Sequence, residues 1–212
     1  LSKRQLADEA IYLERVLCNE SGGIQDQIAA AFGGLNLISF GANGYEVRPV
    51  DISKDRKDEL NDRLMLFFTG FSRFSSDIQQ GTVKALKDKY AELKEMTELT
   101  FEAERLLRDE DAKLNEFGRM LDHTWKLKRG ISNGISTGSI DDMYAAGIKA
   151  GALGGKLLGA GGGGFLLFYA EPDRQEAVRE AMKELLYIPF RFEQEGTAIV
   201  HDEQESFEKT ER

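Results

Sequence analysis

The sequence predicts an α+β fold, a split βαβ sandwich with helices inserted between its strands, and three observations carry that prediction. Short apolar runs read as strands at Arg63–Thr69, Phe165–Tyr169 and Ile188–Phe192. Between the first two lie long stretches in which Leu, Met and Phe recur at helical spacing, and a shorter one, Asp173–Leu186, separates the last two. Strand, helices, strand, helix, strand in that order is the pattern of a split βαβ unit.

The chain has 212 residues, 41% of them hydrophobic, enough to bury a sizeable core. Its first segment, Ser2 to Cys18, intersperses Leu6, Ile11, Leu13, Val16 and Leu17 with charges as an amphipathic helix does. Helical periodicity is present from the outset, as expected of a start inside a domain. The turn cluster Asn19–Gly23 ends this helix, and Ser21 stands where it could cap a second one, Ile24 to Phe32, which stops at Gly33-Gly34. Leu35–Phe40 and Tyr45–Pro49 read as strands around Gly41-Ala-Asn-Gly44, whose Asn-Gly favours a turn with φ > 0. The charged stretch Asp51 to Asp62 reads as a linker, and the expected domains are 1–56 and 57–212.

After the strand at Arg63–Thr69, helical patterns run roughly over Ser75–Thr97, Thr100–Arg108 and Asp111–Arg129, with their charges read as solvated faces. Ser139 reads as the cap of a helix reaching Lys149, with Asp141 and Asp142 facing the positive end of its dipole.

Composition narrows the function. A net charge of −9 argues against a nucleic-acid or anionic-membrane surface, since both reward basic patches. The single cysteine, Cys18, allows no internal disulfide, and no signal peptide or membrane-length apolar run is evident, so a reducing cytoplasm fits best. With only His123, His201 and Cys18 available, a structural zinc site lacks ligands, and oxygen-bound magnesium is the expected metal.

Two segments carry the chemistry. Eight of the 22 glycines fall between Gly151 and Gly164, immediately before an apolar strand. Such a cluster is entropically costly and asks for φ > 0 turns or close approach of another group to the backbone. A tight strand-to-strand turn and a ligand-binding loop account for it equally well. It is no Walker A loop, because Leu157 follows Gly155-Lys156 where a hydroxyl is required, and no dinucleotide fingerprint, because Gly159-x-Gly-x-x-Gly164 opens a strand. The second segment, Ser21 to Gln27, puts Asp26 in the first turn of a helix, twelve residues after Glu14, so that two carboxylates could meet across the glycine turn. Taken alone, an aspartate there is more often a capping partner.

Together these segments resemble the GHMP kinases, and within them the heptose phosphate kinases. Gly23-Ile-Gln-Asp-Gln27 is similar to the Gly-x-x-Asp-Gln motif of the family's sugar kinases, Gly159-Ala-Gly-Gly-Gly-Gly-Phe165 to their C-terminal glycine motif, and Ile188-Pro-Phe-Arg-Phe-Glu-Gln-Glu-Gly-Thr197 to the heptose kinase tail. The resemblance covers essentially the whole chain. It implies the end of a GHMP kinase N-terminal domain followed by a ferredoxin-like C-terminal domain, with ATP and Mg2+ as cofactors and a sugar phosphate as substrate. It also leaves a homodimer open. By residue, it implies Asp26 as the catalytic carboxylate that takes or orients the proton of the attacking hydroxyl. It implies Glu14 as the magnesium ligand, with Glu20 and Glu9 as rivals, and Gly22, Gly23 and Arg73 at the sugar. Gly159, Gly161, Gly162, Gly163 and Gly164 would lie beside the nucleotide phosphates. The family's upstream Pro-x-x-x-Gly-Leu-Gly-Ser-Ser phosphate loop does not occur in these 212 residues, so the chain alone is expected to show negligible sugar kinase activity.

Overall fold

A capping box starts the chain: Ser2 Oγ accepts from the Gln5 amide at 3.2 Å while Gln5 Oε1 accepts from the Ser2 amide at 2.9 Å, which fixes the first turn of α1 (Lys3–Tyr12). The computed structural model describes residues 1–20, 22–70, 86–132, 134–159 and 161–201. The expected cap Ser21, the segment with Arg73 and the start of the Ser75–Thr97 pattern lie outside the described residues. Beyond α1 the helix widens into a π turn, Leu13–Leu17. α2 (Gln25–Phe32) follows, its N-cap position held by Ile24 without a side-chain bond. β1 (Asn36–Gly41) and β2 (Gly44–Pro49) then pair antiparallel with Gly41 opposite Gly44, and Gly44 takes φ +111° as the Asn-Gly signal implies.

The expected linker is instead a helix, α3 (Lys54–Asp62), capped by Ser53, whose hydroxyl accepts from the Arg56 amide at 3.1 Å. Only Arg56, Leu60 and Asn61 are buried on it, so its amphipathic signal is a single leucine. Arg56 acts as a tertiary cap. Its Nη2 lies 2.8–3.1 Å from the carbonyls of Ala112, Asp109 and Leu106, satisfying the acceptors where α4 (Tyr90–Arg108) ends. Arg56→Met strands those carbonyls and should cost about 3 kcal/mol. In a domain of this size that lowers the thermal midpoint by ~6–12 °C, measurable by circular dichroism; an unchanged midpoint would contradict the capping role.

α4 runs unbroken through the expected gap at Thr97–Thr100, where both threonine hydroxyls are satisfied within the helix by donating to carbonyls one turn earlier, those of Leu93 and Met96, at 2.9 Å. α5 (Asn115–Arg129) and α6 (Gly138–Lys149) follow, and α6 is capped by Thr137 rather than Ser139. Asp141, expected to serve the dipole, also binds Arg129 at 2.7 Å and the Ser136 hydroxyl at 2.8 Å.

The main sheet joins β3 (Leu64–Phe68), β4 (Gly154–Leu158), β5 (Phe165–Tyr169) and β6 (Leu186–Ile188) in the order β4-β5-β3-β6, every neighbouring pair antiparallel. β3 and β4 therefore run parallel with β5 between them, which is the split βαβ layout. β4 is absent from the sequence pattern, because its opening Gly154-Gly155 reads as loop. α7 (Gln175–Ala181) crosses from β5 to β6, shorter than the pattern Asp173–Leu186.

Period-two alternation divides the sheet's faces. Met65, Phe67, Leu157, Leu166 and Phe168 join Trp125, Ile140 and Tyr144 in one core, while Leu64 and Tyr169 join Leu37, Val50 and Leu60 in a second that fuses the first hairpin to the sheet. The last strand, expected at Ile188–Phe192, is instead Leu186–Ile188. The tail beyond it is held by the buried Asn61, whose side chain donates to Phe190 O at 3.2 Å and accepts from the Phe192 amide at 2.9 Å. Glu193 O then takes the Gly34 amide at 2.7 Å and Ala30 O the Thr197 amide at 2.9 Å, strapping the end of α2 to the rest of the molecule.

Candidate active site

The π turn aims Glu14 sideways. Each residue of a π turn is rotated relative to the α register, and such turns recur at functional sites. Here the Cys18 amide reaches Leu13 O at 2.9 Å and the Glu20 amide reaches Glu14 O at 3.0 Å. Glu14 thereby faces the first turn of α2, where Gln27 Nε2 donates to its carboxylate. Asp26 sits beside Gln27 at the positive end of the α2 dipole, where negative charge is favoured. The carboxylates expected to meet across the glycine turn thus share one cavity of about 500 Å³, lined by Glu14, Gly22, Gly23, Gln25, Asp26 and Gln27 on one side. Glu9 and Glu20, the rivals to Glu14, do not line it.

Among the described residues, no atom beyond Gly23's own chain neighbours lies within 4 Å of where its Cβ would stand, and its φ is not positive, so this packing does not demand a glycine; Gly23 lines the cavity.

The opposite wall comes from the other end of the chain: Lys156, Leu158 and Gly159 from β4 and its turn, and Lys128 from the last turn of α5. Alternation along β4 buries Leu157 in the main core and turns Lys156 and Leu158 to the other face. The glycine loop joins β4 to β5, and its first residue, Gly159, is the part of it that borders the cavity. Gly159 lines the cavity at φ +87°. Gly161, at φ +121°, packs where a Cβ would lie 2.7 Å from Ile135 Cα. The Gly162 amide binds Ile135 O at 3.1 Å, and the Gly164 amide binds Thr69 Oγ1 at 3.1 Å. Gly161, Gly162, Gly163 and Gly164 do not line this cavity.

Lys128 belongs to a helix whose charges read as a solvated face, yet its amine is half-buried and donates to Gly159 O at 2.9 Å. Burial, with repulsion from Lys156, lowers its pKa to about 8 despite the opposing pull of Asp26. Burial lowers the Lys156 amine as well. The sequence signal is the basic last turn of α5, Lys126, Lys128 and Arg129, which periodicity alone reads as surface.

For a metal, the donors present are oxygens only. Among the described residues no three or more His, Cys, Asp or Glu side chains are grouped to hold an ion. Magnesium asks for less: one or two carboxylates, waters and phosphate oxygens. Glu14 and Asp26 fit that requirement, and the buried Gln27 Oε1, which has no hydrogen-bond partner among the described residues, adds an unused oxygen to the same wall. Among the described residues no helix is long and apolar enough to cross a membrane.

Comparison with known proteins places the chain. Residues 104–188 match the family model described as GHMP kinases C terminal. Over 208 residues, 92% of the chain, it is 32% identical to the D-glycero-alpha-D-manno-heptose 7-phosphate kinase of Campylobacter jejuni, of which it spans 59%. It is 29% identical over 185 residues, 84% of the chain, to the L-fucokinase/L-fucose-1-P guanylyltransferase of Bacteroides fragilis, of which it spans 19%. A solved D-glycero-D-manno-heptose 1-phosphate kinase from Bacteroides thetaiotaomicron superposes with TM-score 0.65 at 27% identity, over 92% of this chain and 54% of that one. Sequence, fold and family model agree that the chain belongs to the GHMP kinases and carries their C-terminal domain.

Proposed function

We propose that this chain supplies the catalytic carboxylates and the glycine turn of an ATP-dependent sugar kinase acting on the anomeric hydroxyl of D-glycero-D-manno-heptose 7-phosphate, as a step toward nucleotide-activated heptose in the cytoplasm. In this proposal the two domains divide at 56/57, within α3. The observation that carries the proposal is that Asp26, Glu14 and Gly159, widely separated in sequence, line a single cavity.

Phosphoryl transfer asks a protein for alignment and charge neutralisation more than covalent chemistry. The sugar hydroxyl sits against Asp26, which takes its proton as the hydroxyl oxygen forms its bond to the terminal phosphorus of ATP. The bond from that phosphorus to the bridging oxygen breaks, and ADP leaves with the electron pair. Gly22 and Gly23 leave room for the sugar, and Arg73 is assigned to it as well. Glu14, oriented by Gln27, would hold the magnesium, which supplies neutralisation of the phosphate oxygens. Gly159 and the loop through Gly164 are assigned to the nucleotide phosphates.

The phosphate loop of the family is missing from these residues, so the test has two arms, followed by phosphorus NMR with ATP, magnesium and a panel of sugars and sugar phosphates. The 212-residue chain alone should form negligible product. Joined at Leu1 to the part of the Campylobacter relative that this chain does not span, it should phosphorylate the heptose 7-phosphate in preference to galactose, fucose or arabinose. Preference for one of those sugars would reassign the substrate, and a folded, inactive joined protein would leave a non-catalytic binding role.

A further inference from the structure

Among the described residues, every cation in the last turn of α5 except one finds a carboxylate. Lys126 pairs with Asp122 at 2.6 Å and Arg129 with Asp141 at 2.7 Å. Lys128, between them in sequence, turns into the cavity and, among the described residues, donates only to a carbonyl, Gly159 O. Lys156 faces the same cavity from β4 and, among the described residues, has no ion pair. Half-burying two ammonium groups near one another is costly unless they are matched by negative charge. Of the cavity's two carboxylates, Glu14 accepts from Gln27, and among the described residues neither it nor Asp26 forms an ion pair with either amine.

We propose that Lys128 and Lys156 form a seat for a phosphoryl group next to Asp26, an inference that rests on this cavity being the phosphotransfer site. Two ammonium groups match a phosphate dianion through charge-assisted hydrogen bonds, and the Gly159 carbonyl keeps the Lys128 amine extended into the cavity. The pairing also answers a difficulty of the site: a phosphoryl group approaching a hydroxyl held by an aspartate meets a like charge, and the two amines offset that repulsion. The same seat would fit the phosphate of a sugar phosphate or the terminal phosphate of a nucleotide.

The experiment titrates the 212-residue chain with inorganic phosphate, following its phosphorus NMR signal. Lys128→Met and Lys156→Met should each weaken binding roughly tenfold, while Lys126→Met, outside the cavity and already paired, should leave it unchanged. Methionine keeps much of the stem and removes a buried charge. A readout on the unsubstituted chain covers any variant that fails to fold: phosphate should protect Lys128 and Lys156, but not Lys126, from acetylation read by mass spectrometry. Displacement of phosphate by mannose 6-phosphate assigns the seat to the sugar phosphate, and displacement by ADP assigns it to the nucleotide. Equal phosphate affinity in both cavity variants, absence of protection, or displacement by neither compound would overturn the seat. Phosphate binding through these lysines in a joined protein that transfers nothing would instead remove the kinase function and leave the seat standing.

Discussion

Asp26→Asn should reduce phosphotransfer in the joined protein by about 10²–10⁴-fold, because the amide keeps the size and hydrogen-bonding reach of the carboxylate but cannot take a proton as the hydroxyl attacks. The loss should fall on kcat, with KM little changed, since the substitution removes an interaction that matures in the transition state. A second readout separates this from general damage. Asp26 raises the pKa of the Lys128 amine, which burial and Lys156 depress. Without the carboxylate, the amine should titrate below its value of about 8 in the unsubstituted protein, a shift visible by lysine-selective NMR. Stability should fall by no more than about 1 kcal/mol, the cost of removing a charge from the positive end of the α2 dipole, since no side-chain cap is made there. An Asp26→Asn protein that folds, shifts Lys128 and turns over at the original rate would remove Asp26 from the chemistry while leaving the shape of the cavity as described.

How much of this site the sequence reveals follows from which interactions are local. Glu14 and Asp26 are separated by one turn, so their meeting can be read from helix, glycines, helix, and Gln27 reinforces it from the neighbouring position. The capping box at Ser2 and the hairpin at Gly41–Gly44 are likewise encoded within a few residues. What the sequence hides depends on distant partners. Gly154-Gly155 looks like loop until α5 is brought against it, and Lys128 looks solvated until the β4 turn arrives beside it. α3 hides its role because its one buried cation serves carbonyls around the end of another helix, leaving a composition that resembles a linker. Thr97 and Thr100 suggest a break because β-branched hydroxyl residues are modest helix formers, an effect of roughly a few tenths of a kcal/mol that the tertiary packing of α4 outweighs.

The glycines of β4 lead to the second large effect, expected of Gly154→Ala. A Cβ at position 154 would stand 1.9 Å from Gly118 O and 2.8 Å from the Asp122 amide nitrogen, both backbone atoms of α5, so no rotamer change can relieve the contact. α5 would have to move away as a body. It has little freedom to do so, since Trp125 is fully buried in the main core and Arg129 is tied to Asp141. Overpacking of this kind costs about 3 kcal/mol, which corresponds to a thermal midpoint lower by ~6–12 °C. Gly23→Ala is the matched control: among the described residues its Cβ would meet no atom beyond its chain neighbours within 4 Å and its φ is ordinary, so the midpoint should hold within about 2 °C. The two alanines should differ again in function. Gly154→Ala displaces the helix that brings Lys128 to Gly159, and Gly23→Ala fills space on the carboxylate side of the cavity, so phosphate binding by the chain should fall in the first and persist in the second. Equal midpoints for the two variants would mean that α5 yields to β4 at no cost, and the close backbone approach would then not be what fixes Lys128 over the cavity.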